Sequence, residues 1–365
     1  MNNLKVGSDF SGVGAFDQAL KRLGINYETI FACDMDKYAR QTFIENYGEP
    51  KYYPENVYDR EIPKESVDIY MTSPPCQAFS IAGKRKGETE ERGVLFYNSH
   101  QFIIKNKPRY FIFENVKGLL SDDNGKTFQR WIDYLSKSVN GQPVIFPHEE
   151  SANYHVYYQV LNSKDYGVPQ NRERIFIIGI RDDENNNFTF PPKEHLTKRL
   201  KDVLEDDVDE KYFLSDAAIK SIILNDNNLQ KSKVNPEVAS ALQTPGNACG
   251  VYKGMTAINV LKVKSATKRG FEIANEGDSI NFSQPNSETR RGRVGKKVSQ
   301  TLETQCNQGI IQDRIRRLTP RECFRLQDFP DLFKMPCSDS QMYKQAGNSI
   351  TVGVLEKIIK RLIKI

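Results

Sequence analysis

The sequence has little with which to hold a metal. Only four histidines occur in 365 residues, His100, His148, His155 and His195, and none falls in a His-Glu-x-x-His pattern. The six cysteines, at 33, 76, 249, 306, 323 and 337, include no Cys-x-x-Cys pair, which excludes a zinc ribbon or a dithiol redox site. No Asp-rich EF-hand loop is visible, so no metal is expected. No apolar run approaches the roughly 18 residues of a membrane span. The first twenty residues lack the continuous apolar stretch of a signal peptide. A chain of the cytoplasm without a membrane partner is expected.

Charge of one sign is missing from the sum but not from its distribution. Lys and Arg number 52 against 47 Asp and Glu, a net charge of +5. Residues 251–365 hold 21 cations against 11 acids, whereas the rest hold 31 against 36. A basic carboxy-terminal third favours a polyanionic partner, with nucleic acid ahead of membrane because no basic amphipathic helix stands out there.

Short apolar and β-branched runs at 4–7, 28–33, 67–72, 109–114, 155–161 and 174–180 have the length of buried strands. Stretches with helical spacing separate them, such as Phe16, Ala19, Leu20 and Leu23. This alternation predicts a doubly wound, Rossmann-like α/β domain over residues 1–186. The polar run 181–187 and Pro191-Pro192 end the pattern, and a smaller irregular domain is expected over 187–339. Leu355, Ile358, Ile359, Leu362 and Ile363 recur at helical spacing, so 340–365 should return as a helix to complete the first domain.

Chemistry gathers at the predicted strand ends. The first strand runs into Phe10-Ser11-Gly12-Val13-Gly14, where glycines let backbone approach a ligand at a helix start. Asp34, twenty residues after Gly14, ends the second strand, where a carboxylate accepts from ribose hydroxyls. The dinucleotide pattern Gly-x-Gly-x-x-Gly fails at Asp17, which weakens nicotinamide or flavin binding and favours S-adenosylmethionine. Pro74-Pro75-Cys76 follows the third strand and offers a nucleophile. Glu114 ends the fourth strand, and Arg172 and Arg174 precede the sixth at alternate positions.

With these motifs in order the chain resembles the DNA cytosine-C5 methyltransferases, most closely those of bacterial type II restriction-modification systems. The resemblance covers residues 4–181 and 314–360. It rests on Gly12-Val13-Gly14, Pro74-Pro75-Cys76-Gln77, Glu114-Asn115-Val116, Gln170-Asn171-Arg172-Glu173-Arg174, Arg317-Leu318-Thr319-Pro320-Arg321-Glu322 and Gln345-Ala346-Gly347-Asn348-Ser349. Ala15, Asp34 and Asn171 depart from residues frequent in the family.

The resemblance implies methyl transfer from S-adenosylmethionine to C5 of a flipped-out cytosine in duplex DNA, leaving S-adenosylhomocysteine. Cys76 would add to C6, Glu114 would assist at N3, Arg174 would contact O2, and Arg172 would steady Glu114 or a phosphate. For the cofactor it points to Phe10, Gly12, Val13, Gly14, Asp34, Met35, Asp59, Pro75, Leu95 and Asn348. Gln77, Ser80, Lys84 and Arg85 would hold DNA from a catalytic loop, and Arg290, Arg291 and Arg293 would grip it from the recognition region. A monomer is implied, with any cognate endonuclease acting independently. The branch of the family that methylates transfer RNA is the alternative, since Ser73 resembles it, but its Cys-Phe-Thr tripeptide is missing here. A catalytically silent DNA-binding relative is the other.

Overall fold

A computed structural model describes residues 3–74, 91–213, 261–285, 287–305, 307–311 and 315–364. The first lobe is built in chain order from β1 (Leu4–Asp9), α1 (Ala15–Arg22), β2 (Tyr27–Cys33), α2 (Lys37–Tyr47), β3 (Ile69–Thr72), α3 (Glu91–Asn106) and β4 (Tyr110–Val116). It continues through α4 (Lys126–Leu135), β5 (Ser136–Val139), β6 (Gln142–Pro143), β7 (Tyr154–Asn162), β8 (Gln170–Asn171) and β9 (Glu173–Ile180). Short strands follow: β10 (Leu261–Lys264), β11 (Phe271–Ala274), β12 (Ser279–Asn281), β13 (Val294–Gly295), β14 (Ser299–Gln300), β15 (Gln308–Ile311) and β16 (Ile315–Arg317). Helices α5 (Pro320–Arg325), α6 (Asp339–Asn348) and α7 (Val352–Leu362) close the chain.

All six expected strands lie in one sheet, ordered β2-β1-β3-β4-β9-β7-β5-β6. The sheet is mixed rather than parallel, because β9 runs antiparallel to both neighbours, β4 and β7. The stretch from β7 to β9 is too short for a helical crossover, so the chain can only turn back on itself. Strand residues alternate between two cores. Tyr110 and Ile112 face α1 and α7 with Val6, Leu20, Leu355 and Ile358, whereas Phe111 and Phe113 face α3 and α4 with Phe102 and Trp131.

The return to the core of the first lobe begins earlier than residue 340. Leu318, Phe324, Leu326, Phe329 and Phe333 share the core of α1 and α7, as do Phe188, Leu200 and Val203. A capping box explains this turn of the chain: Thr319 caps α5, its hydroxyl accepting from the Glu322 N–H while the Glu322 carboxylate accepts from the Thr319 N–H. Arg316 locks the same carboxylate with two bonds of 2.8 and 2.7 Å. Among the described residues, a separate small core of the 261–311 region consists of Val263, Ala274, Ile280 and Ile311 with partly buried neighbours. It joins the first lobe through β14, which pairs in parallel with β8, Ser299 opposite Gln170.

Asp17, where a dinucleotide fold would have glycine, is a buried acid in the first turn of α1. It is 1% exposed and accepts from Thr29 Oγ1 at 3.2 Å. Burial pushes its carboxyl from 3.8 up to about 7. A folded-state value raised above the unfolded one gives stability that is whole below about pH 4 and lost as pH climbs toward 7. Asp17→Asn should therefore be more stable than the parent by at most roughly 4 kcal/mol at pH 8, with no advantage at pH 4. Urea unfolding at the two pH values checks this, and parallel pH profiles would contradict it.

Candidate active site

The chain leaves β1 through a backbone that few residues tolerate. Phe10, Gly12 and Gly14 all have positive φ, at 57°, 54° and 82°. At Gly14 a side chain has no room, since a Cβ would stand 2.3 Å from the Tyr47 ring. Above Gly12 there is open space. The Ser11 N–H donates to the Cys33 carbonyl at 3.0 Å and the Gly12 N–H to Asp34 Oδ2 at 2.7 Å, which stitches the exits of β1 and β2 together.

Asp34 Oδ1 accepts from the Asp36 N–H at 2.8 Å, so each carboxylate oxygen keeps a lone pair for a further donor. Burial raises the Asp34 carboxyl above its ordinary value, and the two backbone N–H groups oppose the rise. Met35 beside it is 85% exposed, an uncovered apolar shelf. An open glycine, a ribose-binding type of carboxylate and an exposed thioether thus share one sheet edge, a set that fits an adenosine-containing ligand.

The other expected cofactor residues divide. Val13 is 2% exposed and its side chain is in the core, so only its backbone can face a ligand. Asp59 is exposed in the 56–60 turn. Leu95 is half-buried, and its carbonyl accepts from Ser99, whose hydroxyl meets Thr72 at the end of β3. Asn348 is exposed at the end of α6, whose Lys344 pairs with Asp36 at 2.7 Å. Pro75 lies outside the described residues, as do Cys76, Gln77, Ser80, Lys84 and Arg85.

Glu114 and the arginines do converge. Opposite Phe176 on β9, Glu114 shares a face with Arg174 two residues along, because Val116 is the partner of Arg174. Arg174 Nε meets Glu114 Oε1 at 3.0 Å. Burial raises the Glu114 carboxyl, while Arg174 and then Arg172 pull it back. Asn115 ties the same strand end to the segment that leads to Cys76 in the chain, its Nδ2 donating to the Pro74 carbonyl at 3.2 Å.

Here the expected roles shift. Arg174, not Arg172, holds Glu114 directly. Arg172 donates through Nη2 to the Gly347 and Ser349 carbonyls at 3.0 and 2.8 Å, and its Nε and Nη1 are buried with no partner among the described residues. Burial and the neighbouring Arg174 lower the Arg172 guanidinium to about 9. The two carbonyl acceptors at the end of α6 could not be foreseen, since main-chain groups leave no signature in residue type. Gly347 is needed there: a Cβ would press to 2.8 Å on the Glu303 backbone of the small module.

Of the three arginines expected to grip DNA, one is structural. Arg293 is 1% exposed and donates to the Asn281, Ser283 and Gln284 carbonyls at 3.2, 2.9 and 2.5 Å. It immediately precedes β13, with its guanidinium turned onto these carbonyls. Arg290 pairs with Glu303 at 2.5 Å, and Arg291 is exposed with Nε on the Ala266 carbonyl. Arg293→Met should cost about 2–4 kcal/mol by orphaning these carbonyls. Arg291→Gln should leave stability intact and reduce the salt slope of DNA binding by about one. Denaturant unfolding and binding titrations across salt separate the two, and equal stability loss in both would contradict the assignment.

Against this geometry, the sequence matches the family described as C-5 cytosine-specific DNA methylase over residues 4–364. The chain belongs to this family. It is a DNA cytosine-5 methyltransferase. Among its relatives, the orphan methyltransferase M.SPRI of Bacillus phage SPR is 32% identical, over 100% of this chain and 98% of that protein. The type II methyltransferase M.SsoII of Shigella sonnei is 34% identical over 97% of this chain and 78% of its own length. The crystal structure of S. pombe Dnmt2 has the same fold, with a TM-score of 0.60 at 17% identity over 99% of both chains. No described helix of this methyltransferase is long and apolar enough to cross a membrane.

Proposed function

We propose that the enzyme methylates C5 of one cytosine, flipped out of a short recognised sequence in duplex DNA, through an adduct between Cys76 Sγ and C6. The observation that carries this reading is the meeting of Glu114, Arg174 and Arg172 at the end of β4, tied by Asn115 to the segment leading into Cys76. A stacked cytosine is out of reach of such a pocket, so the base must leave the helix. C6 is a poor electrophile until charge moving toward N3 is met by a proton or a strong hydrogen bond. Glu114, raised by burial, keeps a protonated share for that donation, and Arg174 sets its orientation. The Nε and Nη1 of Arg172, without a partner among the described residues, supply donors for a base oxygen or phosphate at the same place.

S-adenosylmethionine, when bound, supplies an electrophilic methyl group. Phe10, Gly12, Gly14, Asp34 and Met35 would hold it, with Asp59, Pro75, Leu95 and Asn348 completing the site. Loss of the C5 proton and departure of Cys76 then restore the aromatic ring. A groove of about 540 Å³ between β8 and the small module, lined by Lys164, Asn171, Arg290, Lys296 and Gln300, suits base edges and phosphates. Gln77, Ser80, Lys84 and Arg85 would hold the strand beside the vacated position. The enzyme acts as a monomer in the bacterial cytoplasm, as the modification partner of an independently acting endonuclease.

Transfer of labelled methyl from S-adenosylmethionine to mixed-sequence duplex DNA and, separately, to transfer RNA, with bisulfite sequencing of the DNA, tests the reading. Protected cytosines in one recurring short context are expected. Label in RNA alone, or in neither, would contradict it.

A further inference from the structure

Asp9 and Arg60 form an ion pair, 2.9 Å from Nε to Oδ1, with side chains 0% and 2% exposed. Neither belongs to the set of residues that would touch base or cofactor. Burying such a pair costs several kcal/mol per ion, and a well-packed apolar pair is often as stable or more so. Stability is therefore a poor reason for its presence. Its connections supply a better one.

Asp9 is the last residue of β1 and immediately precedes Phe10, which is held at a φ of 57° that a non-glycine residue adopts only when its surroundings impose it. Arg60 immediately follows Asp59 in the chain. The same guanidinium donates through Nη2 to the Asn98 carbonyl at 3.3 Å, on α3 three residues from Leu95. The other Asp9 oxygen accepts from Tyr70 OH at 2.6 Å, on β3, the strand that leads to Pro74. The guanidinium plane is set by Phe102, 4.8 Å from Arg60 Cζ, whose ring stacks on Tyr70 at 4.2 Å. One buried charge pair thus joins the loop of Phe10 and Gly12, the turn of Asp59, the helix of Leu95 and the strand entering the nucleophile segment.

We infer that Arg60, clamped between Asp9 and the Asn98 carbonyl, is a positioning residue that sets the spacing of the three segments receiving S-adenosylmethionine. The inference rests on the cofactor assignment of the proposed function. Because the clamp orients binding elements and does not touch the reacting atoms, its loss should fall on cofactor affinity.

The test uses the full-length enzyme, the double variant Asp9→Asn/Arg60→Met, and Tyr70→Phe, which removes a single bond from the clamp. Calorimetric Kd for S-adenosylmethionine, KM for cofactor and for duplex DNA, kcat at saturating cofactor and the thermal midpoint are measured. In the double variant, Kd and KM for the cofactor should rise about tenfold or more, with KM for DNA and kcat within about twofold of the parent. Tyr70→Phe should move the same two constants about threefold to fivefold, keeping the test decisive if the double variant does not fold. Unchanged cofactor constants in a folded variant, or cofactor and DNA constants rising together with a fallen thermal midpoint, would overturn the inference. A parent enzyme that binds no S-adenosylmethionine overturns the proposed function and this inference together, whereas a binding parent with unchanged variants overturns this inference alone.

Discussion

Replacing Cys76 by serine should reduce methyl transfer by at least about a thousandfold while leaving the affinity for S-adenosylmethionine within about twofold. The reason is elementary. A thiolate is accessible near neutral pH and is a strong nucleophile toward a carbon such as C6, whereas a serine hydroxyl is not ionised there and has no adjacent base in the proposed set. Cys33 and Cys323 are poor substitutes. Burial, reinforced by the Asp9 carboxylate, pushes the Cys33 thiol up to about 12, and Cys323 is 1% exposed in the core. Single-turnover transfer of labelled methyl and calorimetric titration with the cofactor measure the two quantities. Turnover near the parent rate in the serine variant would remove the covalent mechanism.

The second large effect is expected at Glu114, and its sign follows from burial. The carboxyl is raised because its charged form is desolvated, with Arg174 and Arg172 opposing the rise. The rate contribution that needs the protonated acid is complete at low pH and lost as pH climbs through the raised value. Thiolate formation at Cys76 acts in the other direction, so the profile should be bell-shaped, with Glu114 on the alkaline side. Glu114→Gln should lower kcat about 10²–10³-fold, since an amide can donate a hydrogen bond but not a proton, and should flatten the alkaline limb. Arg174→Met removes the partner at 3.0 Å that stabilises the carboxylate, so its alkaline limb should move to higher pH. A limb that moves to lower pH in Arg174→Met would contradict the assignment of Glu114.

The parts of this enzyme that repeat a simple physical rule were readable in advance. Buried strands such as Ile69–Thr72 and Tyr110–Val116 show as short apolar runs, and α7 shows as one apolar stripe. Glu114 stood out because a carboxylate ending an apolar strand is expensive unless it is used. The direction of β9 was not readable, because hydropathy does not record which way a strand runs. The same applies to the early return at Leu318, whose cue is the capping box of Thr319 and Glu322 rather than any apolar period. Arg293 misled for a related reason: composition counts charges, and only the fold tells whether a guanidinium meets solvent or three carbonyls. Asp9 and Arg60, 51 positions apart, carry no local pattern that would pair them.

The most direct test of the central claim uses duplex DNA of the recognised sequence with 5-fluorocytosine at the target position. Fluorine cannot leave C5 as a cation, so after methyl transfer the ring cannot regain aromaticity by the normal route and the Cys76–C6 bond should persist. The account predicts a denaturation-resistant protein–DNA complex that forms only with S-adenosylmethionine present, with the peptide containing Cys76 carrying the nucleotide. No such complex with a duplex that the enzyme otherwise methylates, or a complex linked through a residue other than Cys76, would contradict it.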